Sequence, residues 1–388
     1  MKGYVSGNRI ALFKNGEEFF PALAQAIDRA RERVHVETYI YRDDDTGRAI
    51  AAALMRAARR GVRVHLLIDG FGSSPLPLAL LQAMRDAGVQ VLVYRPEVLR
   101  WRLRRYRLRR LHRKLAQVDG SIAFVGGINI VNDADSAGVP PQYDYAVSVE
   151  GPLVGEVYLT MRRLWNMVSW SQLRLRRRDH RQAIAVAPAG RVRAQLLLRD
   201  NLRHRRDIER AYLRAIGKAR REIVIANAYF LPGARFLRAL IAAAGRGVRV
   251  VVLVQGKTDH PLANYAKRAF YERLLRAGVE IYEYRKSVLH AKAAVIDGIW
   301  ATVGSSNLDP FSLVLSREAN VAVHDRDFAT ELRASMQAEI DGGALRILPE
   351  LLESLSLYRR FLIWLSHRIV RGMMGMVGYA GDESGPRR

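Results

Sequence analysis

Two segments of the chain carry the same chemically active side chains at the same spacing. Each segment has a His-x-Lys-x4-Asp motif that is followed, ten residues after the aspartate, by an asparagine. The first set is His112, Lys114, Asp119 and Asn129, and the second is His290, Lys292, Asp297 and Asn307. One copy could arise by chance in a chain of this composition, but two copies at matching places of an internal repeat indicate a shared function.

The residue types in these sets suit phosphodiester transfer. One imidazole can attack phosphorus and form a phosphohistidine, while the other protonates the departing alcohol and later deprotonates the acceptor. The two lysines and two asparagines can hold the non-bridging oxygens as negative charge builds on them. This scheme uses no metal and no other cofactor, so we expect none.

A histidine used in this way needs a carboxylate that orients its ring and supports its positive charge. Asp144, downstream of His112, and Glu318, downstream of His290, are the candidates for this role. The motif aspartates, Asp119 and Asp297, come in the turns that follow the histidine segments. They can take part in catalysis, contact the lysines or have only a structural role in the turn.

The elements that must position these residues are duplicated as well. Residues 61–68 are echoed by residues 247–254, and residues 87–94 by residues 277–284, each after a helix-like stretch with a glycine at its end. Alternating helix and strand patterns predict an α/β/α sandwich in each half. Strand alternation then places the histidine and lysine of each motif on one face. We therefore predict an α/β fold of two repeated halves with pseudo-two-fold symmetry and a shared active site.

The repeat predicts four regions. Residues 1–170 form the first half, residues 171–191 a basic linker, residues 192–345 the second half, and residues 346–388 a basic amphipathic helical segment at the C-terminus. The C-terminal segment either lies on a bilayer or packs on the core. The first half also has an arginine-rich insertion with Trp and Leu residues between Tyr94 and His112. It is either a solvated loop or a surface that meets phosphates.

The composition restricts the classes of binding partner and the cellular locations that are compatible with this chain. The net charge of +25 favours a polyanionic partner, either nucleic acid or an anionic lipid surface. The absence of cysteine excludes disulfides and thiolate metal sites. We recognise neither a secretory signal nor a transmembrane helix, so a protein acting at a membrane would lie on it. We interpret Glu37 as a buried structural acid, and Trp165 and Trp170 as the core of a helix.

The doubled motif and its tails, residues 126–129 and 304–307, resemble the phospholipase D superfamily. Residues 225–233, 304–313 and 318–320 are similar to those of bacterial cardiolipin synthases of the B type, which lack N-terminal membrane spans. The resemblance extends to about residue 345.

This resemblance implies transfer of a phosphatidyl group between two phosphatidylglycerol molecules, with release of glycerol, and attack by His112. It also implies an anionic phospholipid membrane as partner instead of nucleic acid, at the cytoplasmic face of a bacterial inner membrane. A lipid hydrolase, a nuclease of the same superfamily and an inactive membrane scaffold are the alternatives. The oligomeric state is left open.

Overall fold

The computed structural model describes residues 3–96, 110–132, 141–172, 186–200, 204–256, 270–308 and 316–349. Most of the insertion after Tyr94, most of the linker and nearly all of the C-terminal segment lie outside the described residues. Their predicted roles therefore remain predictions. Among the described residues, no helix is both long enough and apolar enough to span a bilayer.

The first half contains the strands and helices β1 Val5–Lys14, α1 Asn15–Arg29, β2 Arg33–Thr38, α2 Asp45–Arg59, β3 Arg63–Asp69, α3 Leu78–Asp86, β4 Gln90–Tyr94, β5 Arg110–Leu111, β6 Lys114–Val118, β7 Ile122–Gly126, β8 Tyr145–Glu150 and α4 Leu153–Ser171. The second half contains β9 Val192–Arg199, α5 Asp207–Lys218, β10 Glu222–Asn227, α6 Ala234–Gly245, β11 Arg249–Gln255, β12 Glu280–Tyr284, β13 Lys292–Ile296, β14 Trp300–Gly304, β15 Ser316–His324, α7 Arg326–Gly343 and β16 Ala344–Ile347. Residues 270–276 are helical as well.

The strands of the two halves follow the same order. The first half runs β1-β8-β7-β6-β2-β3-β4, and the second runs β9-β15-β14-β13-β10-β11-β12. In each half, the strands that alternate with helices are parallel, and the strands that carry the motif are antiparallel. Antiparallel pairing of β1 with β9 joins the halves. The predicted α/β duplication with pseudo-two-fold symmetry is confirmed.

The helices form because their apolar residues recur every three or four positions. In α2, Ile50, Leu54 and Ala57 are buried, and the Asp44 carboxylate caps the helix by accepting from the Gly47 N–H at 2.8 Å. Helices α1 to α3 cover one face of the first half's strands, and α5 and α6 cover the matching face of the second. These helices thereby bury one face of the strands in each half.

The opposite faces of the two sets of strands share one core with α4 and α7. Val147 on β8 and Val157 on α4 belong to it together with Val321 on β15 and Leu332 on α7. Each fully buried side chain of this size contributes about 1.5–3 kcal/mol. Because this core contains both halves, it fixes their relative position and hence the distance between the two motifs.

Trp165 and Trp170 have different environments on α4. Trp165 is buried as predicted, but Trp170 is 75% exposed, so its assignment to the core was wrong. Trp170 lies five residues after Trp165, about 140° further around the helix, and so on the side opposite the buried Leu164 and Val168. The helical period itself therefore assigns Trp170 to the exposed face, because residues five apart do not share a face of a helix.

Candidate active site

Each motif histidine is held by backbone from the other half. His112 lies between β5 and β6, and its N–H donates to the carbonyl oxygen of Arg317 on β15 at 3.0 Å. His290 lies two residues before β13 begins, and its N–H donates to the carbonyl oxygen of Tyr143 at 2.8 Å. In addition, the short strand β5 pairs in parallel with β15. These contacts bring the two motifs to the interface between the halves.

The carboxylates are exchanged between the halves in the same way. Glu318 of the second half lies 3.0 Å from Nδ1 of His112, and Asp144 of the first half lies 2.6 Å from Nδ1 of His290. We expected each carboxylate to serve the histidine that precedes it, and the structure corrects this pairing. Because Nδ1 of each ring is occupied, Nε2 is the nitrogen that can meet a reacting group.

The electrostatics of the free site favour charged carboxylates and neutral rings. Burial acts to raise the pKa of Asp144, but Lys292 and His290 lower it below the ordinary value. The pKa of Glu318 is lowered in the same way, chiefly by His112, against the effect of burial. Burial lowers the pKa of His112, and lowers that of His290 to about 4. A neutral ring with its Nδ1–H on a carboxylate presents an unprotonated Nε2, which is the nucleophilic form.

The two motif lysines are buried beside the histidines. Lys114 Nζ donates to the carbonyl oxygen of His112 at 2.7 Å, and Lys292 Nζ donates to the carbonyl oxygen of His290. Burial lowers the pKa of Lys114 to about 7. An ammonium group that has lost water in this way gains strongly from an anion that enters the site.

Sequence reasoning missed Tyr39, which follows β2. Its ring centroid lies 4.8 Å from that of His112, and Lys114 Nζ lies 5.4 Å from the Tyr39 ring centroid. The repeat places Ala228 at the corresponding position after β10. A comparison of the two strand ends could therefore have identified Tyr39 as a feature of the first half alone.

The two asparagines are buried in different surroundings. The Asn129 side-chain oxygen accepts from the Ile40 N–H at 3.2 Å, so its amide group is oriented by the loop after β2. The Asn307 side-chain oxygen has no hydrogen-bond partner within the part of the chain that the structure describes. Their role in holding phosphate oxygens remains a prediction.

The motif aspartates lie outside the reacting site. Asp119 accepts hydrogen bonds from the backbone N–H groups of residues 31–33 at 2.7–2.9 Å, and Asp297 accepts from those of residues 220–222 at 2.8–3.0 Å. Six residues, five of them in β6 or β13, separate each aspartate from its histidine, which places the two roughly 20 Å apart. These contacts support the structural alternative for both residues, and a catalytic role for either remains a prediction.

The comparison with known proteins agrees with this geometry. The family model described as "Cardiolipin synthase, PLD-like domain" matches residues 23–165 and 212–340, one segment in each half. The chain belongs to this phospholipase D-like family.

Relatives of this family match almost the whole chain. Cardiolipin synthase B of Escherichia coli strain K12 is 41% identical over 374 residues, which cover 96% of this chain and 90% of the relative. Cardiolipin synthase B of Salmonella typhi is 40% identical over 97% of this chain and 91% of its own.

Two solved structures share the fold at low identity. Phosphatidylserine synthase of Haemophilus influenzae is 15% identical with a TM-score of 0.67, over 97% of both chains. Polyphosphate kinase of Porphyromonas gingivalis is 14% identical with a TM-score of 0.61, over 95% of this chain and 53% of its own.

A buried ion pair lies next to the first motif. Arg113, between His112 and Lys114, is paired through two nitrogens with the carboxylate of Glu37, and the Nη2–Oε1 distance is 3.0 Å. Both residues are at most 4% exposed, so Glu37 is the buried acid expected from the sequence. The corresponding positions of the second half are Ala226 and Ala291. The pair is thus present in the first half and absent from the second. An alignment of the two repeats in the sequence could have shown this difference.

Proposed function

We propose that this protein is a cardiolipin synthase that transfers a phosphatidyl group from one phosphatidylglycerol to another and releases glycerol. The observation that carries the proposal is the exchange of carboxylates, in which each histidine depends on an acid from the opposite half. One site with two oriented imidazoles suits a double displacement, because one ring can attack while the other handles protons. The family membership supports a phosphatidyl group as the moiety transferred.

In the first step, Nε2 of His112 attacks phosphorus and the bond from phosphorus to the glycerol headgroup oxygen breaks. The resemblance to the superfamily supports His112 as the nucleophile. His290 gives its proton to the departing oxygen. Because burial holds the pKa of His290 at about 4 in the free site, His290 takes up a proton from water when the anionic substrate binds, since the charge of the substrate favours the imidazolium. Asp144 then stabilises that imidazolium from Nδ1.

In the second step, His290 removes the proton from a headgroup hydroxyl of another phosphatidylglycerol. The resulting oxygen attacks phosphorus, and the bond to His112 breaks, which gives cardiolipin and restores both rings. Lys114 and Lys292 supply the positive charge for the phosphoryl oxygens in both steps.

The substrates of this reaction are membrane lipids, and we propose that the protein acts as a peripheral protein on the cytoplasmic face of the membrane. The net charge of +25 supports binding to an anionic lipid surface. Attraction of this kind would bring the enzyme to the layer that contains both donor and acceptor.

The proposed transfer can be tested with vesicles of phosphatidylglycerol labelled in the headgroup and in the phosphate. We expect cardiolipin and free glycerol in equal amounts, phosphatidic acid as a minor product, and reversal by added glycerol. A sample quenched in alkali should carry the phosphatidyl label on the His112 peptide, and His112→Ala is the matched control. Phosphatidic acid as the main product would instead indicate a hydrolase. Cleavage of DNA without lipid turnover would indicate a nuclease.

A further inference from the structure

Four large apolar side chains are exposed on one edge of the first half. Phe71 is 51% exposed, Leu78 80%, Met167 44% and Trp170 75%. We call these four residues the apolar rim. Single exposed apolar residues are ordinary on protein surfaces, but a group of them on one edge marks an interaction surface.

The apolar rim lies on the edge at which the active site is built. Phe71 closely follows the end of β3, which is parallel to β2, and β2 ends beside Tyr39 at the His112 ring. The guanidinium of Arg110, two residues before His112, lies 4.6 Å from the Phe71 ring centroid. The rim is therefore continuous with the first motif.

Helix α4 ends at the same edge. The side chain of Gln172, which follows α4, donates to the carbonyl oxygen of Val93 near the end of β4, at 2.7 Å. Since β4 is parallel to β3, Met167 and Trp170 in the last turns of α4 lie on the edge that carries Phe71. The end of α4 and the loop after β3 therefore lie at the same edge of the strands.

The charge pattern of this edge suits an anionic lipid surface. Residues 70–84 include no Asp, Glu, Lys or Arg, although charged residues make up 26% of the chain. Arg163 is exposed one turn before Met167 on α4, and Arg110 packs on Phe71. Large apolar side chains bordered by arginines, with a tryptophan among them, are the combination that binds at the headgroup boundary of a bilayer.

We propose that the apolar rim inserts into the surface of an anionic bilayer, so that the active-site edge faces the lipid headgroups. The inference deepens the proposed function, because it names the surface through which the enzyme reaches substrates that lie in the bilayer. Insertion into the bilayer does not require the transfer reaction, so membrane binding and turnover can be measured separately.

The test uses the full-length chain with Leu78→Ser and Trp170→Ser combined. The control combines Leu345→Ser and Leu348→Ser, which are 44% and 49% exposed before substitution. These residues lie at or beside β16, at the opposite end of the strand order from β4. Binding is measured by sedimentation with phosphatidylglycerol vesicles. Turnover is measured on vesicles and on short-chain phosphatidylglycerol dispersed as monomers.

We expect the rim variant to bind vesicles at least about tenfold more weakly and to lose vesicle turnover in proportion, because two apolar side chains no longer leave water. The rim variant should turn over dispersed substrate at the unchanged rate. The control variant should keep both its vesicle binding and its turnover. Vesicle binding equal to that of the unmodified protein would overturn the proposal. So would a change of oligomeric state with binding retained, since the rim would then contact a second copy. If the rim variant binds vesicles more weakly but the unmodified protein turns over neither substrate, the docking surface is supported and the proposed function is refuted.

Discussion

Removing Glu37 should lower the free energy of unfolding more than removing Arg113, although the two residues form one buried ion pair. Glu37→Ala leaves the guanidinium of Arg113, which is 4% exposed, without its carboxylate, and arginine cannot lose its proton to escape. Breaking a buried pair in this way costs about 3–5 kcal/mol of unfolding free energy. Arg113→Ala costs less, because burial already raises the pKa of Glu37 and the acid can take up a proton.

The second half supplies the reference for the double variant. It has Ala226 and Ala291 at the corresponding positions, in strands that form the same pairing. We therefore expect Glu37→Ala with Arg113→Ala to cost less than the sum of the two single changes, with a coupling on the order of 2 kcal/mol.

Urea unfolding followed by circular dichroism gives the free energies of unfolding for this cycle. The control is Glu150→Ala, because Glu150 forms a long, exposed ion pair with Arg9 at 3.8 Å, for which we expect a loss below about 1 kcal/mol. The reasoning is refuted if Glu37→Ala costs no more than the control, or if the effects of the single variants simply add.

Three further predictions concern the site. Asp144→Asn and Glu318→Gln should each lower turnover by about 10²–10⁴-fold with the circular dichroism spectrum unchanged, because each histidine loses the acid that orients it; near-normal turnover in either variant would contradict the exchange. Asp119→Asn and Asp297→Asn should lower the free energy of unfolding by about 1–3 kcal/mol in urea and change turnover less than tenfold, because these side chains hold backbone; a large loss of turnover in a stable variant would make them catalytic. The imidazole of His290 should titrate by NMR with a pKa of about 4, since burial disfavours its cation, and Asp144→Asn should lower that pKa further, whereas a pKa near 6.5 would contradict the buried site.

The composition of the site could be predicted from the sequence because the motif spacing is local. His112 and Lys114 stand two apart, so strand alternation alone brings both to the start of β6. The exchange of Asp144 and Glu318 could not be predicted in this way. It depends on how the halves pack across the shared core of α4, α7 and the inner strand faces, and no segment of the chain contains that information by itself.

Other features were missed because they depend on what one half has and the other lacks. Tyr39 beside His112 corresponds to Ala228, and Arg113 with Glu37 corresponds to two alanines. A search for repeats emphasises what the halves share, so it passes over these differences. The exposure of Trp170 was missed for another reason, because Trp165 and Trp170 were assigned to one face although the helical period separates them by about 140°.

Turnover of phosphatidylglycerol by His112→Ala, His290→Ala and the double variant tests most directly whether the two halves build one site. If the site is shared, each single variant should lose several orders of magnitude, and the double variant should be no worse than either, because residues that act as a unit are not additive. Two independent sites would instead leave each single variant with about half of the activity. Near-normal turnover in either single variant would contradict the shared site.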